Sequence, residues 1–184
     1  DLLGVEYFHV VFTIPEVLKE LFLGYPKTAY GLLFSAVSET LQEVAANPAN
    51  LGARIGFFQV LHTWTQVLQF HPHIHCIVPG GGLSLDGSEF VSAKHGFLLP
   101  VRILSTVFRG KLLSKLQKEI EKGSLSKPSE KPLALARLRQ AAEPDWVVYA
   151  KAPFAGPEAV LAYLSRYTHR IAISNGRLLS LEAG

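Results

Sequence analysis

The sequence is poor in sulfur, with one cysteine, Cys76, and no methionine among its 184 residues. A single cysteine excludes an internal disulfide and predicts a protein of the reducing cytoplasm. The missing methionine predicts that the chain is a fragment of a longer protein. No apolar run reaches the roughly 18 residues that span a bilayer, and no signal-peptide pattern opens the sequence, so no membrane partner is expected.

Length and apolar content predict one globular domain. Of the 184 residues, 48% are hydrophobic, which is enough to bury a substantial core. The net charge of +3 is unevenly distributed, because residues 102–139 carry ten basic and three acidic side chains. This segment, with Lys111, Lys115 and Lys118 on one predicted helix, suits a polyanionic partner. A solvated helix face is the alternative, and charge alone slightly favours it.

The order of predicted elements indicates an α+β fold. Alternating β-branched and aromatic residues predict strands, and helical spacing of apolar residues predicts helices. The predicted strands are 5–13, 55–66, 71–79 and 146–151. The predicted helices are 15–46 with a break near 24–26, then 101–122, 132–142 and 156–170, and a last hairpin spans 171–181. Hairpins imply antiparallel pairing, so the sequence predicts one domain over residues 1–184, with a central antiparallel sheet and helices packed on it.

Three histidines alternate along one predicted strand: His71, His73 and His75. Successive side chains of a strand point to opposite faces, so these imidazoles share one face while Ile74 and Cys76 point into the core. Two imidazoles two residues apart can bind one divalent cation. The alternative is that they are half-buried polar side chains with no ligand.

A hairpin with the preceding strand could bring a third ligand to this pair. If residues 67–70 form its loop, three cross-strand pairs are predicted on the same face: Gln66 with His71, Trp64 with His73, and His62 with His75. Gln66 and His62 are therefore candidate ligands.

A second group of polar side chains lies on the predicted helix 156–170. Tyr163 and Tyr167 are four residues apart, so their hydroxyls lie one turn apart on one face, and Arg170 joins that face. A tyrosine phenolate can attack a phosphodiester and hold the product as a phosphotyrosine. Since the reference pKa of tyrosine is about 10, this chemistry needs a nearby cation. Aromatic packing at this spacing is the alternative.

Taken together, these motifs resemble those of the HUH superfamily of single-strand nucleases, named for His-hydrophobic-His, here His73-Ile74-His75. The amino-acid sequences of several stretches are similar to those of the two-tyrosine rolling-circle transposases of the insertion-sequence ninety-one family. These stretches are 12–15, 62–66, 71–82, 146–151 and 163–174. The resemblance covers residues 5–181 and implies an HUH-nuclease-like fold. Members of that family carry a cysteine-rich zinc-binding region before the nuclease domain, and this sequence does not contain it.

The resemblance implies a metal-dependent nuclease and strand transferase. It implies that His73 and His75 bind Mg²⁺ or Mn²⁺, with Gln66 as the first choice for a third ligand and His62 or His71 as alternatives. The partner it implies is single-stranded DNA at transposon ends and target, which places the working protein at the bacterial nucleoid.

The same resemblance implies a chemical role for the tyrosine helix. Tyr163 or Tyr167 attacks the scissile phosphate and leaves a 5′-phosphotyrosine and a free 3′-hydroxyl, while Arg170 and Lys151 contact phosphates. Two other functions stay open at this point, a rolling-circle replication initiator with the same chemistry and a non-catalytic DNA-binding transposase remnant.

Overall fold

The structure is a computed structural model in which residues 3–65, 67–151, 158–160 and 162 are described. Along this part of the chain one strand is followed by helices, then by five consecutive strands, two helices and a last strand. The strands are β1 (Tyr7–Thr13), β2 (Ala53–Arg54), β3 (Phe58–Trp64), β4 (Phe70–Pro79), β5 (Gly81–Ser84), β6 (Phe90–Ser92) and β7 (Val148–Lys151). The helices are a 3-10 turn (Glu16–Leu18), α1 (Lys19–Gly24), α2 (Pro26–Ala46), α3 (Val101–Lys122) and α4 (Lys131–Ala142).

The main sheet has the strand order β3-β4-β1-β7, and its neighbouring strands are antiparallel. This confirms the predicted α+β class with a central antiparallel sheet. A small second sheet, β2-β5-β6, continues directly from β4. Glycine is required where the two sheets join, because a Cβ on Gly82 would collide with the backbone carbonyl of Arg54.

One face of the main sheet carries the hydrophobic core. Phe12 and Ile74 are paired across β1 and β4, both are fully buried, and the Phe12 ring packs edge-on against Phe108 of α3 at 5.1 Å between centroids. Helices α2 and α3 cover this face. The opposite face carries His9, His62, His73 and His75, and we call it the histidine face.

Local sequence sets the ends of the long helices. Pro26 occupies the first turn of α2, where its missing N–H costs nothing. Helix α3 ends at Gly123, whose φ of 84° is left-handed and whose N–H bonds back to the carbonyls of Glu119 and Ile120. None of the helices in the described ranges is long and apolar enough to cross a membrane.

The predicted register of the β3–β4 hairpin was wrong by two residues. His62 lies opposite His73, and Trp64 lies opposite Phe70 after a register shift. The difference arises because Phe70 begins β4 instead of closing the loop. The N–H of Thr65 bonds to the carbonyl of Gln69 at 2.9 Å. As far as His62 the slip is two residues, which keeps these side chains on their predicted face, whereas a slip of one would reverse them. At Trp64, beyond the register shift, the slip is three residues.

The single thiol provides a probe of the folded state. Cys76 is fully buried on the core face, and burial raises the pKa of its thiol above the usual value. We expect an aromatic disulfide reagent to modify it at least about 1,000-fold more slowly in the native protein than in denaturant, because attack requires the thiolate and an open core. Rapid modification of the native chain, followed by absorbance, would contradict this placement.

Candidate metal centre

The candidate centre is built from two adjacent strands of the histidine face. Strand β4 presents His73 and His75, and the neighbouring strand β3 places His62 directly opposite His73. One nitrogen of each of these three rings lies within 4.8 Å of the others. Two atoms that are each about 2.0–2.2 Å from one ion lie at most roughly 4.4 Å apart. A small movement of one side chain would therefore let all three nitrogens bind one ion.

The surroundings of His73 and His75 favour the neutral imidazole, which is the form that binds metal. Burial lowers the pKa of His73. Burial, followed by the charges of His62 and His73, lowers the pKa of His75 to about 2. A neutral imidazole has a lone pair on one ring nitrogen, so near pH 7 both side chains can act as ligands without first losing a proton.

A backbone contact selects the ligand atom of His73. Its Nδ1 lies 2.6 Å from the carbonyl oxygen of His71, and because a carbonyl only accepts, Nδ1 carries the proton. The lone pair of the neutral ring is then on Nε2. The His71 side chain, the other sequence candidate on this strand, is not a member of the three-histidine cluster.

The structure adds a histidine that the sequence did not nominate. His9 of β1 is 3% exposed, and its Nε2 lies 2.7 Å from Nδ1 of His75. Burial, with smaller contributions from Lys151 and His62, lowers the pKa of His9 to about 4. Alternation along β1 puts His9 on the same face as Tyr7. Only the pairing of β1 with β4 brings it to His75.

Lys151 lies at the border of this centre. Strand β7 pairs with β1 and puts Lys151 beside His9 and Tyr149 beside Val11, so both side chains belong to the histidine face. Lys151 is exposed and contributes to the lowered pKa of both His9 and His75. This exposed cation therefore lies close enough to the cluster to attract an anion bound there.

Exposed aromatic rings flank the centre at both edges of the sheet. Phe58 of β3 lies opposite Ile77 and is 62% exposed, while Tyr149 of β7 is 54% exposed. Large exposed aromatics on a polar face provide surfaces on which nucleic-acid bases can stack.

The lysines of the basic segment lie in a different layer. Lys115 bonds to Glu39 at 2.7 Å, and Lys111 pairs with Glu43 at 2.7 Å, which joins α3 to α2 on the core side of the sheet. The bond from Lys115 is the main reason for the lowered pKa of Glu39. Lys118 is exposed. The structure does not bring these lysines to the histidine face.

Four sequence candidates, Gln66, Tyr163, Tyr167 and Arg170, lie outside the described residues. In the described segment 158–160, Val160 is fully buried and belongs to a small hydrophobic cluster with Tyr7 and Ile77. Both of these partners project from the histidine face. The chain thus contacts that face three residues before Tyr163.

Comparison with known proteins gives matches to transposases. The family Y2_Tnp, described as "Putative transposase", matches residues 56–184. "Putative transposase y4qJ" of Sinorhizobium fredii is 51% identical over 193 residues, covering 100% of this chain and 48% of that protein. "Transposase for insertion sequence element IS801" of Pseudomonas savastanoi is 38% identical over 79 residues, covering 43% of this chain and 18% of that protein. The chain thus spans about half the length of the first relative and less of the second.

Among solved structures, the conjugative relaxase TrwC in complex with oriT DNA is similar to part of the chain. Its copper-bound and metal-bound forms both match with a TM-score of 0.48 at 19% identity. Each match covers 60% of this chain and 42% of the relaxase chain.

Proposed function

Because the chain belongs to the Y2_Tnp transposase family, we propose that it nicks and joins single-stranded DNA through a 5′-phosphotyrosine intermediate. The single observation that carries this proposal is the cluster of His62, His73 and His75 on the histidine face of the main sheet. Three clustered imidazoles beside an exposed lysine suit the cleavage of a phosphodiester.

The donor set decides which metal ion the centre would hold. We propose His62 as the third ligand beside His73 and His75, since it is the side chain that the described structure brings to them. Nitrogen donors suit transition metals better than Mg²⁺, which prefers oxygen, so Mn²⁺ fits this centre better. When bound, such an ion polarises a phosphoryl oxygen and neutralises charge at the reacting phosphate.

The proposed nucleophile is Tyr163 or Tyr167. Its phenolate oxygen attacks the scissile phosphorus, forming the tyrosine O–P bond while the P–O3′ bond breaks. The departing 3′ oxygen takes up a proton and becomes the free hydroxyl. That hydroxyl, or another 3′ end, can later attack the phosphotyrosine, releasing the phenolate and joining the strand. Each step exchanges one phosphoester bond for another, so no external energy source is needed.

The packing of Val160 supports a tyrosine acting at this face. Val160 belongs to a small buried cluster with Tyr7 and Ile77, and Ile77 follows His75 by two residues on β4. We propose that the tyrosine three residues further along the chain acts at this face, since three residues span at most roughly 10–11 Å. This distance limit is compatible with an attack at a phosphate held beside the cluster.

The flanking residues support a single-stranded substrate. Bases that are not paired in a duplex can stack on Phe58 and Tyr149, while Lys151 contacts the backbone phosphates. A duplex would keep its bases stacked on one another and leave both rings without a partner.

The test is a cleavage reaction with single strands taken from the DNA that flanks the gene. With Mn²⁺ we expect nicked products whose 3′ end a polymerase can extend and whose 5′ end is blocked to a kinase even after phosphatase treatment. Adding a chelator should stop the reaction, and the matching duplex should be a poor substrate. Products with 5′-phosphates that no protein blocks would instead indicate hydrolysis by water and would contradict the proposal.

A salt titration distinguishes DNA binding at Lys151 on the histidine face from DNA binding at the lysines of α3. We expect Lys151→Ala to reduce the slope of log affinity for single-stranded DNA against log salt by about 0.7, the value for one lost phosphate contact. Lys115→Ala, which removes a lysine held by Glu39 on the other side of the sheet, should leave that slope unchanged. The reverse result would place the DNA along α3 and not across the histidine face.

A further inference from the structure

His9 is the most buried histidine of the histidine face, and it comes from a strand that contributes no member of the three-histidine cluster. It is 3% exposed, compared with 9% for His75. Its ring stacks on that of His75 with 14° between the planes and 4.9 Å between centroids. Together with the 2.7 Å contact between Nε2 of His9 and Nδ1 of His75, this packing fixes the orientation of both rings.

The contact between the two rings has two possible proton arrangements. A hydrogen bond between two imidazole nitrogens needs a proton on one of them and a lone pair on the other. Either Nδ1–H of His75 donates to His9, or Nε2–H of His9 donates to His75. In the second arrangement the proton of His75 is on Nε2, and Nδ1 uses its lone pair to accept the bond. His75 then has no lone pair for a metal ion.

We infer that His9 is a positioning residue for the metal centre: its Nε2 accepts a hydrogen bond from Nδ1–H of His75 and thereby holds His75 with the Nε2 lone pair towards the ion. This inference rests on the metal centre proposed above. A metal-bound histidine commonly donates its second ring N–H to a carbonyl or carboxylate. Here a buried imidazole takes that place, as the His71 carbonyl does for His73.

The two histidines of β4 are thereby oriented from different parts of the chain. His73 is held by a backbone group two residues away, which any sequence would supply. His75 is held by a side chain 66 residues away, and its orientation depends on the identity of residue 9. Metal affinity should therefore respond to substitution of a residue that does not itself bind the ion.

Binding of Mn²⁺, measured from the loss of the free-ion signal in electron paramagnetic resonance, tests the inference. We expect His9→Leu to weaken Mn²⁺ binding by roughly 10- to 100-fold, the usual effect of losing such an outer partner. His9→Gln should restore most of the affinity, because its side-chain oxygen can accept the same bond. His95→Leu is the matched control, since His95 is highly exposed and pairs with Glu6.

The Mn²⁺ affinities of the wild type and the three variants distinguish a failure of the inference about His9 from a failure of the metal centre itself. Equal affinity in wild type and His9→Leu would overturn the inference while leaving the metal centre intact. A loss that His9→Gln does not restore would show that His9 only fills space, which also overturns it. Wild-type protein that binds no Mn²⁺ would overturn both the centre and the inference.

Imidazole nitrogen shifts in the metal-free wild-type chain provide a second test that needs no variant. With ¹⁵N-labelled histidine we expect the proton of His75 on Nδ1 and the Nε2 of His9 unprotonated. A proton on Nε2 of His75 would reverse the direction of the bond and overturn the inference, whatever the variants do.

Discussion

Replacing His73 and His75 together with alanine is expected to slow the cleavage of single-stranded DNA by at least about three orders of magnitude. A metal ion at a reacting phosphate contributes several kcal/mol to the transition state, and each 1.4 kcal/mol corresponds to a factor of ten in rate. The double variant removes two of the three imidazoles of the cluster and with them the proposed ion. The measurement is the rate of nick formation with saturating Mn²⁺.

The same double variant should keep its fold, because neither of the two histidine side chains packs in the hydrophobic core on the other face of the sheet. We expect the free energy of unfolding to fall by about 1–3 kcal/mol, since His9 loses its hydrogen-bond partner in a buried position. Circular dichroism and a denaturant titration measure this, and His95→Ala serves as the exposed control. A folded double variant that cleaves at the wild-type rate would remove the histidine cluster from the reaction.

Substitution of the two proposed nucleophiles, Tyr163 and Tyr167, should prevent formation of the covalent protein–DNA intermediate. Tyr163→Phe or Tyr167→Phe removes one hydroxyl and keeps the ring. We expect one single variant to lose most of the initial nicking and the other to lose mainly strand transfer, since two nucleophiles allow two successive transfers. The double variant should form no covalent protein–DNA adduct on a denaturing gel.

Two controls make the tyrosine experiment interpretable. Tyr149→Phe, which changes a tyrosine of the histidine face outside the proposed nucleophile pair, should still form the adduct. Binding of single-stranded DNA by the double Phe variant should stay within about threefold of wild type, because no phosphate or base contact is removed. An adduct that persists in the double variant would assign the nucleophile to another side chain.

The sequence predicts those features that depend on local periodicity. Alternation along a strand places His73 and His75 on one face regardless of which strands are neighbours, and the structure confirms this placement. The predicted helix 101–122 matches α3 because the apolar spacing runs unbroken from Val101. Gly123 then supplies the left-handed residue that ends it. Both features need only the backbone geometry of one element.

The features that sequence reasoning missed depend on contacts between distant elements. The pairing of His62 with His73 follows from a register shift near Trp64, which no spacing rule indicates. The contact of His9 with His75 requires β1 and β4 to be neighbours. Likewise, the pairing of Lys111 and Lys115 with acidic side chains of α2 appears only when the helices are packed together.

The most direct test of the proposed function is to identify the residue that becomes linked to DNA. The covalent product formed with single-stranded DNA and Mn²⁺ is digested with protease and nuclease, and the modified peptide is sequenced by mass spectrometry. We expect the nucleotide to be attached through its 5′-phosphate to Tyr163 or Tyr167, and to be absent when His73 and His75 are alanine. Attachment to any other residue, or equal attachment in the alanine variant, would contradict a metal-assisted attack by a tyrosine at the histidine face.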